Sequence, residues 1–205
     1  MYARLPVTDP ESQLRAHVEA GSVDDASSLA IKTYGDELLG FLAAIARDDT
    51  VAADAFSLAC EAMWTNLATF RFEASVRTWF YQLGRNALHR VRRDPRRAPA
   101  RNNPLSVMTS IAEVQRAPTA AYRKTESKNA LREMRDALAP EDRELLILRL
   151  DRNMSWKDIA RALASDTDAP SSLDSRAASL RKRFERLKAD LREQAVARGI
   201  VESDG

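Results

Sequence analysis

Apolar residues recur at spacings of three and four through most of the chain, and no stretch alternates β-branched with polar residues, so the pattern predicts an all-α protein. In VRTWFYQLGRNALHRVRR, Val76, Phe80, Leu83, Ala87 and Val91 fall on one stripe at about 100° per residue, as in a helix resting on a core. Upstream, Ala26 to about Thr33 runs into DELLGFLAAIARD, and VAADAFSLACEAMWTNLATF follows, with Ala55, Leu58, Ala59, Ala62 and Met63 as its core stripe. With the arginine-rich helix these make four helical segments between Asp24 and Arg93.

Proline and polar clusters break this pattern into parts. Residues 1–22, with Pro6 and Pro10, read as a polar and poorly ordered leader. A first helical domain over 23–94 ends in a linker at 95–121, where Pro95, Pro99, Pro104 and Pro118 interrupt a segment poor in large apolar residues. A second helical domain spans 122–198. In it Pro140 suits the first turn of a helix whose body is ELLILRL, and Glu141 and Asp142 favour that helix's positive end. Ser155 and Asp158 form a capping box that opens WKDIARALA. Asp174 is expected to cap a last helix in which Ala177, Leu180, Phe184, Leu187 and Leu191 repeat at three and four. A short helix, a turn and a longer basic helix make a helix-turn-helix.

Charge changes the picture more by its distribution than by its sum. The formal net charge is only +2, yet the stretch from Arg71 to Arg101 sets many arginines against Glu73 and Asp94, while Asp24 to Glu61 is mildly acidic. Such segregation points to a polyanion on one surface and a different partner on another. The single cysteine, Cys60, excludes an internal disulfide. The opening MYARLPVTDPESQ lacks the apolar core of a signal peptide and LLGFLAAIA is too short to span a bilayer, so a cytoplasmic protein without membrane insertion is expected. His17 and His89 stand apart from any cysteine, and neither a glycine-rich phosphate loop nor a Ser/His/Asp elbow is visible. Binding is therefore expected in place of catalysis, with no cofactor and no metal.

Two helices carry the chemistry of such binding. Opposite the stripe of the arginine-rich helix, Arg77, Tyr81, Arg85, His89 and Arg92 follow at spacings of four and three, a face suited to a phosphate chain. Trp79 and Asn86, seven apart at its border, could meet an unpaired base; the alternative is that Trp79 and Tyr81 are half-buried packing residues above a solvated cationic face. On the last helix Ser175, Ser179, Lys182, Arg183 and Arg186 share one face, suited to base edges and phosphates in a major groove.

These stretches resemble the sigma-70 family of bacterial transcription initiation factors, in particular its small two-domain extracytoplasmic-function (ECF) type. YGDELLGFLAAIARDDTVAADAFSLACEAMWTNLATFRFEASVRTWFYQLGRNALHRVRR is similar to that family's region 2, including Trp64, the loop from Phe70 to Ser75 and the block TWFYQLGRN. LAPEDRELLILRLDRNMSWKDIARALA and LRKRFERLKADLRE resemble the start and end of its region 4. The resemblance implies two small helical domains, a region 2 bundle and a region 4 helix-turn-helix, joined by a flexible linker. It implies core RNA polymerase and promoter DNA as partners, with an anti-sigma factor as a further candidate.

Carried onto this chain, the polymerase-facing residues would be Asp48, Asp49, Asp54 and Glu61. The minus-ten surface would comprise Arg77, Trp79, Tyr81, Arg85, Asn86, His89, Arg92 and Arg93. The minus-thirty-five surface would comprise Ser175, Ser179, Lys182 and Arg183, with Arg176, Arg181 and Arg186 on flanking phosphates. Two departures stand out. Ser57 and Leu58 replace the glutamine and glutamate usual after the acidic residue of the polymerase-binding helix, and ASDTDAPSSLDSRAA separates Leu163 from the last helix. That insertion is expected to be a surface excursion, with Leu163 and Leu180 burying against Ile147 and Phe184 or their neighbours. The competing reading is a stand-alone helix-turn-helix regulator with an N-terminal helical sensing or dimerisation domain.

Overall fold

The computed structural model describes residues 9–94, 132–164 and 172–201, and every regular element among them is helical. The linker expected at 95–121 and most of the excursion between Leu163 and the last helix lie outside the described residues. The chain falls into two compact units, one built on residues 9–94 and the other on residues 132–160 and 172–201.

In the first unit four helices follow one another: α1 Pro10–Glu19, α2 Val23–Ala46, α3 Asp49–Asn66 and α4 Val76–Arg93, with a short 3-10 turn at Leu67–Thr69. Their boundaries have local causes. Asp9 caps α1 ahead of Pro10, and Arg47, in the left-handed region at φ 57°, ends α2. One residue later Asp48 accepts from the Thr50 and Val51 N–H groups at 2.9 and 3.0 Å and starts α3. Ser75 starts α4, its Oγ accepting from Thr78 N–H at 3.0 Å and donating to Thr78 Oγ1 at 2.8 Å. Ser75→Ala should therefore cost about 1 kcal/mol of stability in chemical denaturation, and no change would show that water replaces the cap at no cost.

Helix α4 packs on two neighbours. Phe80 meets Phe56 of α3 with ring centroids 6.3 Å apart, and Tyr81 meets Phe41 of α2 at 5.2 Å. Gly84 allows the close approach to α2, since a Cβ there would lie 2.7 Å from Leu38 Cδ1. The core they close contains Leu38, Leu42 and Ile45 from α2, Ala52, Ala55, Ala59 and Met63 from α3, and Val76, Ala87, Leu88 and Val91 from α4. Burial pushes the Cys60 thiol up to about 12, which keeps it protonated and unreactive at neutral pH.

Several expectations change here. The supposed leader contains α1, whose Leu14 is fully buried, so residues 10–19 are part of the fold. The two segments expected between Ala26 and Arg47 are the single helix α2, which continues through a buried Gly35. Leu58, Ala62 and Leu83 are only half-buried, while Ala52, Phe56 and Leu88 take core positions.

In the second unit, helical residues 132–137 precede α5, Pro140–Leu146, which runs into a π-helical turn at Ile147–Asp151. Then come α6, Trp156–Ala162, and α7, Leu173–Ala197. Pro140 does occupy the first turn of α5. The Ser155 capping box is also present, with Ser155 Oγ accepting from Asp158 N–H at 3.2 Å and donating to its carboxylate at 2.6 Å. The buried Arg143 donates to the carbonyls of Arg135, Asp136 and Leu138 at 3.2, 2.7 and 2.9 Å, which satisfies acceptors that the preceding helical turn leaves open.

Trp156 meets Phe184 edge-on at 5.4 Å, and Arg149 lies 4.8 Å above the Trp156 ring. The cap of α7 is Ser172, which accepts from Ser175 N–H at 3.1 Å. Asp174, expected as the cap, instead lies in the first turn and pairs with Lys157 at 2.8 Å. Leu163 and Leu180 are half-buried, and the core positions of α7 are Ala177, Phe184, Leu187 and Ala195.

Candidate nucleic-acid interface

Wedged against α2 and α3, α4 buries a wide arc and leaves a narrow strip outside. Trp79, Gln82, Asn86, Arg90 and Arg93 recur at three and four along this strip. Trp79 and Asn86 are half-buried, while Arg90 and Arg93 are exposed. His89 and Arg85 lie half-buried on its flank. Arg90 was missed in the sequence, although its spacing from Asn86 and Arg93 was the signal that could have found it.

Three members of the expected face have partners on α2. Tyr81 is only 1% exposed, and its hydroxyl donates to the Glu37 carbonyl at 3.3 Å, so its ring is core and not a surface for bases. The Arg77 guanidinium is bidentate on Glu37, Nε to Oε1 at 2.5 Å and NH2 to Oε2 at 3.1 Å, and it lies over the Tyr81 ring at 5.8 Å. Its hydrogen bond to Glu37 raises the Arg77 pKa, so this cation is spent on α2. Arg92 donates to the Ile45 carbonyl at 2.7 Å near the end of α2. Both long side chains reach partners on α2, which leaves Arg77 half-buried while Arg92 stays exposed.

Beside the strip lies an aromatic cluster. Trp79 stacks on Phe70 at 4.6 Å and 17°, and Phe72 meets Phe70 edge-on at 5.0 Å. Phe72 adopts a φ of 55°, a left-handed conformation uncommon for a bulky side chain. Rings of this kind next to exposed arginines and an amide have the composition that single-stranded nucleic acid requires, since bases stack on rings and phosphates pair with cations.

On α3, Asp54 and Glu61 are seven apart and share one side of the helix, Asp54 half-buried and Glu61 exposed. Asp49 is exposed in the first turn, while the exposed Asp48 uses its carboxylate as the cap. Ser57, where the family usually has glutamine, turns its Oγ back onto the Ala53 carbonyl at 3.0 Å. Trp64 is 44% exposed and its Nε1 donates to Asp24 at 3.0 Å.

On α7, Ser175, Ser179, Lys182 and Arg186 form one exposed strip, as expected, and Arg181 is exposed on another side. Arg176 and Arg183 are half-buried beside the core stripe. Arg183 is held by Asp142 at the start of α5, Nε to Oδ1 at 2.6 Å, which corrects its expected place among the groove-facing residues.

The first unit is thus a packed helical bundle that presents one polar and cationic strip. Residues 30–98 match the family model of sigma-70 region 2. No curated protein matches the chain. Among the described residues, no helix is long and apolar enough to cross a membrane, and no group of three or more His, Cys, Asp or Glu is placed to hold a metal ion.

Proposed function

We propose that this protein is an ECF-type sigma factor that binds core RNA polymerase in the cytoplasm, directs it to specific promoters and opens the minus-ten element. The carrying observation is the strip of Trp79, Asn86, Arg90 and Arg93 beside the Phe70–Trp79 stack, all inside the region 2 match. Unstacking a base costs a few kcal/mol, and each ring that receives one returns about 1 to 3 kcal/mol, so a rigid aromatic pair lowers the cost of melting. Asn86 supplies hydrogen bonds to a base edge, and Arg90 and Arg93 hold the backbone. Residues 23–94, extended by α1, act as region 2; residues 95–121 are the linker and 122–198 are region 4. In region 4 the exposed strip Ser175, Ser179, Lys182 and Arg186 enters the major groove, with Arg176 and Arg181 on flanking phosphates.

In vitro transcription with core polymerase on genomic fragments tests this reading directly. Specific initiation that depends on the added protein is expected, whereas tight promoter binding without polymerase would favour the stand-alone regulator. The acidic side of α3 is the polymerase surface in this reading. Charge reversal of Asp54 and Glu61 together should weaken holoenzyme assembly by about tenfold or more with the fold intact, since opposed like charges across an interface cost several kcal/mol. Unchanged assembly would remove α3 from the interface.

A further inference from the structure

Glu11, in the first turn of α1, is held by three donors at once. Tyr34 Oη donates to its Oε1 at 2.9 Å, Val76 N–H to Oε2 at 2.7 Å and Arg77 N–H to Oε1 at 3.1 Å. The last two are N–H groups that the first turn of α4 leaves without helical partners, and a carboxylate there also complements the helix dipole. Burial and the adjacent carboxylate push the Tyr34 phenol above its ordinary range, so it remains a donor to Glu11. Four residues further along α1, Arg15 lies 5.2 Å over the ring of Phe72, while its Nε pairs with Glu19 at 3.0 Å. Between the two, the buried Leu14 anchors α1 to the bundle.

Both polar contacts from α1 therefore converge on residues 70–77, the segment with the left-handed Phe72 and the Phe70–Trp79 stack. A conformation of that kind persists only where its surroundings over-determine it. We propose that α1 is a latch for this segment, with Glu11 and Arg15 as positioning residues that hold Phe70, Phe72 and Trp79 in the arrangement that receives an unpaired base. The inference rests on the sigma-factor reading above. Without the latch the segment samples other conformers, and apparent affinity for the melted strand falls by the fraction that remains competent.

The test uses the full chain with core polymerase and two variants, Glu11→Gln and Arg15→Ala. The probe is a fluorescent single-stranded minus-ten oligonucleotide from a promoter that the unsubstituted holoenzyme transcribes. Glu11→Gln keeps the shape but replaces one acceptor oxygen with a donor that cannot accept from the α4 amides. Both variants should assemble with polymerase as the unsubstituted protein does and capture the oligonucleotide about tenfold more weakly. Hydrogen exchange at the Val76 and Arg77 amides should quicken in Glu11→Gln alone. The Arg15 side chain is 60% exposed, so its removal leaves the fold standing if Glu11→Gln proves too disruptive. Normal assembly with undiminished capture by both variants would overturn the latch and leave α1 as a brace of the bundle. Failure of the unsubstituted protein to assemble or transcribe would instead overturn the sigma-factor reading, and the latch's role with it.

Discussion

Tyr81→Ala should destabilise the protein by about 3–5 kcal/mol, the usual cost of removing a large aromatic side chain from a packed core. The ring is 1% exposed and lies 5.2 Å from Phe41, so its loss opens a cavity between α2 and α4 that their backbones cannot readily close. Against a typical total stability of about 5–15 kcal/mol, a substitution of this size dominates every functional assay made near physiological temperature. Transcription should accordingly fall to the same extent on duplex promoters and on templates with a premelted bubble. Tyr81→Phe separates ring from hydroxyl: it gives up only a 3.3 Å bond to the Glu37 carbonyl and should cost no more than about 1 kcal/mol. Chemical denaturation of the full chain measures both. A stable Tyr81→Ala protein that fails only on duplex DNA would return the ring to the melting surface and refute its role in the core.

The paired reversal Arg90→Glu and Arg93→Glu should weaken promoter binding by the holoenzyme more than tenfold at moderate salt, with little change in the melting temperature. Both residues are exposed on the outer strip of α4. Each phosphate contact releases counterions and contributes roughly 0.9 to the slope of log affinity against log salt, so losing two should flatten that slope by nearly two. Titration of a labelled promoter at several salt concentrations reads affinity and slope together. An unchanged slope would show that the phosphates run elsewhere on the domain. Arg77 offers a useful contrast, because its bidentate bond to Glu37 makes it a strut between α4 and α2.

Helix α4 shows where the legibility of the sequence stops. Its period was plain, and Val76, Phe80, Ala87 and Val91 are buried as their spacing implied. Its width of burial was not. A period of 3.6 residues gives the angle between side chains but not the number of neighbours. Here contacts to both α2 and α3 extend the buried arc past Tyr81 to Leu88. Gly84 was the visible sign of the second neighbour, since a glycine inside an otherwise strong helix marks a close approach. The exposed remainder is correspondingly narrower and is centred nearer Asn86 and Arg90.

Local chemistry was legible wherever it depends on residues a few positions apart. Pro140 in a first helical turn and the Ser155–Asp158 box needed no tertiary information, because each acts on backbone groups within its own turn. The helical class was likewise present in the chain itself, as was the shared face of Ser175, Ser179, Lys182 and Arg186 on the last helix, although Arg183, expected on that face too, is turned to Asp142. Tertiary structure alone decided the rest. Pro10–Glu19 is too short and too poor in apolar residues to stand as a helix by itself, and in the fold it is held by Leu14 in the core and by Glu11 on Tyr34 and α4. Arg77 and Arg183 look like available cations in the sequence, yet carboxylates 40 and 41 positions away hold them. A charge declares its sign in the sequence, but its partner is chosen only when packing brings a carboxylate within reach of a long side chain that can turn toward either DNA or the protein.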